Sequence, residues 1–163
     1  MKNKPLYIFV LFLSTLLVII ALGGGLWGQS SPWIMQWQHQ LFYSLCHQLP
    51  ERSFWINGQP MAVCARCFGI YTGFWSGLIS ALFIGNGIKK TVLKKILIVV
   101  LLLNIVDVAG NFLNIWQNTL FSRFALGFSL AAAAGILLGK AFVKRSILIN
   151  QKQYGTSRSI ERS

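Results

Sequence analysis

The chain has 163 residues and a formal net charge of +12, yet only 11% of its residues are charged and 55% are hydrophobic. A water-soluble domain carries about a quarter charged residues, so a chain this short and this apolar cannot hide its surface in one aqueous core, and lipid must cover much of it. The positive charges sit at the edges of apolar runs without aromatic interleaving, which argues against nucleic acid as a partner.

A membrane-crossing helix needs about 20 mostly apolar residues. Four segments qualify, which predicts an all-α membrane protein: a four-helix transmembrane bundle forming one domain over residues 1–149. The first span covers residues 5–27, from Pro5 to Trp27. Its apolar run from Leu6 to Leu22 is longer than a signal-peptide core and no convincing cleavage site follows, so it reads as a retained anchor.

Residues 28–63 form the outer loop. Ser31 and Pro32 mark a helix start. Trp33, Trp37, Leu41, Leu45 and Leu49 then recur at intervals of four, predicting an amphipathic helix at the membrane interface that Pro50 ends. A turn is expected at Asn57-Gly58.

The second span covers residues 64–88 and carries Gly69, Gly73 and Gly77. The third covers 96–116, and Asn104, Asp107, Asn111 and Asn114 line one of its faces. The fourth covers 120–143 and carries Gly127, Ala131, Gly135 and Gly139. Small residues every fourth position make a flat stripe for close helix packing, and the two stripes are expected to face helix partners, each other among them. Residues 150–163 are polar and read as a disordered tail.

Orientation follows from the basic residues. Lys2, Lys4, Lys89, Lys90, Lys94, Lys95, Lys140, Lys144, Arg145, Lys152, Arg158 and Arg162 fall on one side, 12 of the 15, and that side is cytoplasmic. The expected location is the cell membrane, multi-pass, with both termini cytoplasmic and the cysteine loop outside. The remaining cations, Arg52, Arg66 and Arg123, lie on or near the outer side.

Three cysteines and a histidine carry the strongest chemistry: Cys46-His47, sixteen residues, then Cys64-x-x-Cys67. Three sulfurs and one imidazole complete a tetrahedral zinc shell. Cys64 and Cys67 open the second span, where free N–H groups and the helix dipole favour thiolates. Cys46 and His47 are adjacent and would point about 100° apart on a helix, so both bind one ion only if the helix breaks there. If it continues, His39 rivals His47. A disulfide suits the same cysteines in an oxidising compartment, although an odd count leaves one thiol over.

The stretches Cys46-His47-Gln48-Leu49-Pro50-Glu51-Arg52-Ser53-Phe54 and Cys64-Ala65-Arg66-Cys67-Phe68-Gly69-Ile70-Tyr71-Thr72-Gly73 resemble domain-of-unknown-function family 2085, small prokaryotic membrane proteins with the pattern CHQxPxRSF followed by CxRCxGIYxG. Asp107, Gly110 and Arg123 match its later positions, and the resemblance spans about residues 40–140. It implies a shared membrane fold and a shared polar site, and supplies no activity.

A carboxylate inside a span usually faces a partner or a water-filled path. The functional reading is therefore an outward pocket of Arg52, Arg66, Asn104, Asp107, Asn111, Asn114 and Arg123 beneath the Cys/His cluster, and the competing reading is interhelix hydrogen bonding by the same groups. Three functions compete. The preferred one is a membrane protein with an extracytoplasmic Cys3His metal site, zinc before iron, capping the pocket. The second is a thiol-disulfide oxidoreductase coupled to a quinone through Cys64 and Cys67. The third is a metal-dependent hydrolase or transferase, for which Glu51 and Asp107 are the candidate catalytic carboxylates. Expected partners are the lipid bilayer and a quinone or lipid headgroup, and a homodimer is compatible with the sequence.

Overall fold

The computed structural model describes residues 4–23, 36–84, 90–113 and 115–160. Four long helices dominate: α1 (Lys4–Ala21), α3 (Ala65–Ile84), α4 (Lys90–Phe112) and α5 (Leu120–Ile160). Between α1 and α3 come a short helix α2 (Trp37–Phe42), a 3-10 turn (Pro50–Arg52) and the two-residue strands β1 (Trp55–Ile56) and β2 (Gln59–Pro60). Among the described residues one stretch, Leu120–Phe142, is long and apolar enough to cross a membrane by length and composition, and Pro5–Ala21 is a shorter apolar helix.

The axis of the fold is the α3/α5 pair. A Cβ added at Gly73 would lie 2.3 Å from the Phe128 carbonyl oxygen, one at Gly69 2.3 Å from that of Phe124, and one at Gly77 2.4 Å from that of Ala132. From the other side, a Cβ at Gly127 would lie 2.4 Å from the Arg66 oxygen and one at Gly135 2.6 Å from that of Phe74. The two glycine-bearing stripes thus face each other, backbone against backbone, as their shared interval of four predicts. Helix α1 joins α3 through two hydrogen bonds: the Tyr7 hydroxyl donates to the Leu78 carbonyl at 2.6 Å and the Trp75 indole to Thr15 Oγ1 at 2.8 Å.

Away from these seams the helices present apolar side chains outward. Ile8, Phe9 and Phe12 on α1, Ile98, Leu103 and Val106 on α4, and Phe121 on α5 are all exposed. Helix α4 stops at Phe112 rather than near Trp116. The Ile115 N–H closes on the Gly110 carbonyl at 3.0 Å, and the Trp116 ring occupies the space a Cβ on Gly110 would take. Its start, at Lys90, falls earlier than the apolar run suggests. Helix α5 runs to Ile160, so residues 150–160, expected as an irregular tail, form its last part.

The outer loop departs furthest from expectation. The helix expected up to Pro50 ends at Phe42, and Ser31, Pro32 and Trp33 lie outside the described residues. Its apolar stripe survives: Trp37, Leu41, Leu45 and Leu49 are exposed. Asn57 and Gly58, with φ of +50° and +76°, make the predicted turn between β1 and β2. Phe54 then stacks edge-on against Phe121 and Phe124, tying the loop to the start of α5.

Candidate metal centre

The break after α2 is what assembles the cysteines. Gln48 adopts a left-handed φ of +49° and is 5% exposed. Its side-chain amide donates to the His39 carbonyl at 2.7 Å and to the Ala62 carbonyl at 2.9 Å. One buried side chain thereby fastens the Cys46 segment to the residues just before Cys64, and satisfying those carbonyls offsets the cost of leaving the helix. Cys46 packs with Ala21, Phe42, Ala62 and Val63 in one core cluster, bordered by Cys64, Cys67 and Tyr71.

All three sulfurs lie within 4.8 Å of one another. Cys64 Sγ is 3.5 Å from Cys67 Sγ, and the Cys64 backbone N–H donates to Cys46 Sγ at 3.3 Å. Zinc–sulfur bonds of about 2.3 Å at the tetrahedral angle separate sulfurs by about 3.8 Å, so three sulfurs this close fit the face of one tetrahedron. A single disulfide would use two of them and strand the third. The Cys46 thiol is pushed up, first by its hydrogen bond to Cys64. Three neighbouring thiols that cannot all ionise alone become a trianionic ligand set once a divalent cation joins them.

His47 does not join the sulfur group. It is exposed, and it lines a 270 Å³ pocket with Leu49, Arg52, Cys64, Arg66, Cys67, Ile70 and Arg123. The helix break meets the condition for Cys46 and His47 to share an ion, and His47 lines the same pocket as Cys64 and Cys67. His39 contributes its carbonyl to the Gln48 staple, and its half-buried ring is outside the sulfur group. Glu51 is exposed and is not among the pocket's lining residues.

The polar residues expected inside the membrane divide. Arg66 pairs with Asp107 across α3 and α4. Asp107 also accepts from the Asn118 amide at 2.6 Å. Arg123 donates to the Asn118 carbonyl at 3.3 Å and to Asn111 Oδ1 at 3.4 Å. This network holds two of the pocket's three arginines from behind. Asn104 is separate: buried, it donates to the Val100 and Leu126 carbonyls and joins α4 to α5, which is the interhelix role. Asn114 lies outside the described residues.

Sequence reasoning missed Gln48 and Asn118. Gln48 sits inside the Cys-His-Gln-x-Pro run, and a polar residue next to the candidate ligands Cys46 and His47 was the available signal. Asn118 lies in the short link to α5, outside any periodic pattern.

Apolar exposed helix faces around a thiol cluster set on an arginine-lined pocket define a small helical membrane protein with a candidate metal centre. The chain belongs to the family described as predicted membrane protein (DUF2085), which matches residues 46–137 and bears out the resemblance carried by the two cysteine motifs. An uncharacterized protein of Methanocaldococcus jannaschii is 46% identical over 88 residues, covering 53% of this chain and 56% of that protein. The chain thus spans little more than half the length of that relative. An uncharacterized protein of Methanothermobacter thermautotrophicus is 30% identical over 108 residues, 66% of this chain and 94% of the relative. No solved structure matches.

Proposed function

We propose that the chain is a four-span membrane protein, with both termini cytoplasmic, that holds one zinc ion on Cys46, Cys64 and Cys67 at its outer end, with His47 or an exogenous ligand in the fourth position. The observation that carries this reading is the mutual approach of three sulfurs within 4.8 Å. Helix α3 brings Cys67, the residue before it Cys64, and the Gln48 staple Cys46. The exposed apolar faces of α1 and α4 support further spans beside Leu120–Phe142, because such surface in water would be a large unfavourable term.

With His47 bound, the shell is closed and the ion is structural, pinning the loop over the helices. With His47 away, the open position faces the arginine pocket, and water or a substrate oxygen would occupy it. Neither candidate carboxylate is placed to act as general base there: Glu51 is outside the pocket lining and Asp107 is engaged with Arg66 and Asn118. That weakens the hydrolase reading.

The test is metal content per chain in protein purified in mild detergent without chelator. About one zinc per chain is expected, lost in Cys46→Ser, Cys64→Ser and Cys67→Ser. In His47→Ala the ion should stay but exchange faster. A metal-free protein with Cys64 and Cys67 joined as a disulfide would overturn the proposal. The quinone-linked thiol relay would then take its place, favoured by the 3.5 Å Cys64–Cys67 approach with Cys46 beside it.

A further inference from the structure

We infer that the pocket beside the thiol cluster seats the phosphodiester headgroup of an anionic phospholipid, one of whose chains enters the adjoining apolar cavity. Two cavities meet at one residue. Ile70 lines both the 270 Å³ pocket, with Arg52, Arg66 and Arg123, and a 440 Å³ cavity. The larger cavity is walled by Leu13 and Leu17 of α1, Phe74 of α3, Leu97 of α4, and Leu130 and Ala134 of α5. Its size falls in the range of ligand sites, about 300–1,000 Å³. Its lining is apolar apart from Ser14 and the hydroxyl of Tyr71. A polar head and an apolar chain joined at one point match this pair, and neither a free anion nor a plain hydrocarbon does.

Charge selects the head. Among the described residues no carboxylate lines the smaller pocket, and three arginines do. Asp107 neutralises one of them from behind, through Arg66. Arg66 also has a buried Nε without a hydrogen-bond partner among the described residues, and Arg52 sits exposed at the rim. With three thiolates on a divalent ion contributing −1, the site keeps one positive charge, and without the metal the three guanidinium groups still outweigh Asp107. Uncompensated charge next to lipid is costly. Guanidinium groups bind phosphate oxygens in pairs through their planar fork, and a phosphodiester brings one negative charge. The balance at one charge rests on the metal-centre reading, whereas the positive sign does not.

The experiment titrates the full-length protein in dodecyl maltoside with dioleoylphosphatidylglycerol, dioleoylphosphatidylcholine or inorganic phosphate, reading occupancy by native mass spectrometry and zinc in the same samples. Phosphatidylglycerol should bind about tenfold tighter than phosphatidylcholine. Arg52→Gln, at an exposed position, should weaken it by about tenfold. Ala134→Phe, which fills the chain cavity, should weaken it similarly while leaving zinc in place. Equal binding of both lipids, or an unchanged affinity in Arg52→Gln, would overturn the headgroup seat. Phosphate competing at lipid-like concentration with no effect of Ala134→Phe would make it a free-anion site and overturn the chain cavity. Lipid selectivity without zinc would remove the metal centre and keep this inference, and zinc without selectivity would do the reverse.

Discussion

Replacing Gly73 by alanine tests the arrangement on which the site depends. The added Cβ would lie 2.3 Å from the Phe128 carbonyl oxygen and 2.8 Å from its Cα, where ordinary contact begins at 3.4 Å. The obstacle is backbone, so no side-chain rotation relieves it, and α3 and α5 must part by about 1 Å. A radial gap of that size forfeits a quarter to a half of each contact's attraction, and overpacking of this kind costs about 1–3 kcal/mol. The upper half of that range is expected, because Gly69 and Gly77 above and below are in equally close contact and would be pried apart as well. Unfolding in dodecyl maltoside–SDS mixtures, followed by tryptophan fluorescence, gives the difference. Ile105→Ala on the exposed face of α4 is the reference, expected within about 0.5 kcal/mol of the parent. If Gly73→Ala unfolds with Ile105→Ala rather than well before it, the α3/α5 interface is wrong.

Gly127→Ala should act on stability and on the site together, since its Cβ would press on the Arg66 carbonyl between Cys64 and Cys67; zinc should leave faster to a chelator than in Gly73→Ala. Asp107→Asn removes the counter-charge of Arg66. Breaking a fully buried pair costs about 3–5 kcal/mol, and this pair, 29% and 14% exposed, should lose about 1–2 kcal/mol in the same unfolding assay. Gln48→Ala leaves the His39 and Ala62 carbonyls without their amide partner. It should cost about 1–3 kcal/mol and raise the rate of zinc extraction, and unchanged extraction would show that the staple does not position Cys46.

What the sequence disclosed follows from the range of the forces involved. The stripes of Gly69, Gly73 and Gly77 and of Gly127, Ala131, Gly135 and Gly139 are read from helical period alone, and close backbone approach leaves room for little but small residues. The Asn57-Gly58 turn is equally local, since two successive positive φ values favour that pair. The cysteine spacing marked the sulfurs that come together. The end of α2 was hidden because the apolar interval of four continues unbroken through Leu45 and Leu49, so the pattern predicts helix up to Pro50. What overrides it is tertiary: Gln48 reaches Ala62, and Cys46 sinks beside Phe42 and Val63.

The same cause separates the polar residues of α4, which share one face in the sequence but not one role in the structure. Asn104 lies opposite the α5 backbone and is consumed by the Leu126 carbonyl. Asp107, one turn nearer the C-terminal end of α4, meets Arg66, and Asn111 meets Arg123. The division tracks position along the helix. Among the described residues, arginine side chains reach this face at that end, one from the start of α3 and one from the start of α5, and acceptors within their reach become part of the pocket's support while the one farther back becomes glue. Moving the carboxylate down a turn would therefore strip Arg66 of its partner and place an unpaired charge between α4 and α5. An Asn104→Asp, Asp107→Asn double variant should for that reason be less stable than Asp107→Asn by itself. Equal stability of the two would mean that Arg66 can follow the charge downward, and that the depth of the pocket is set by the carboxylate rather than by the helices.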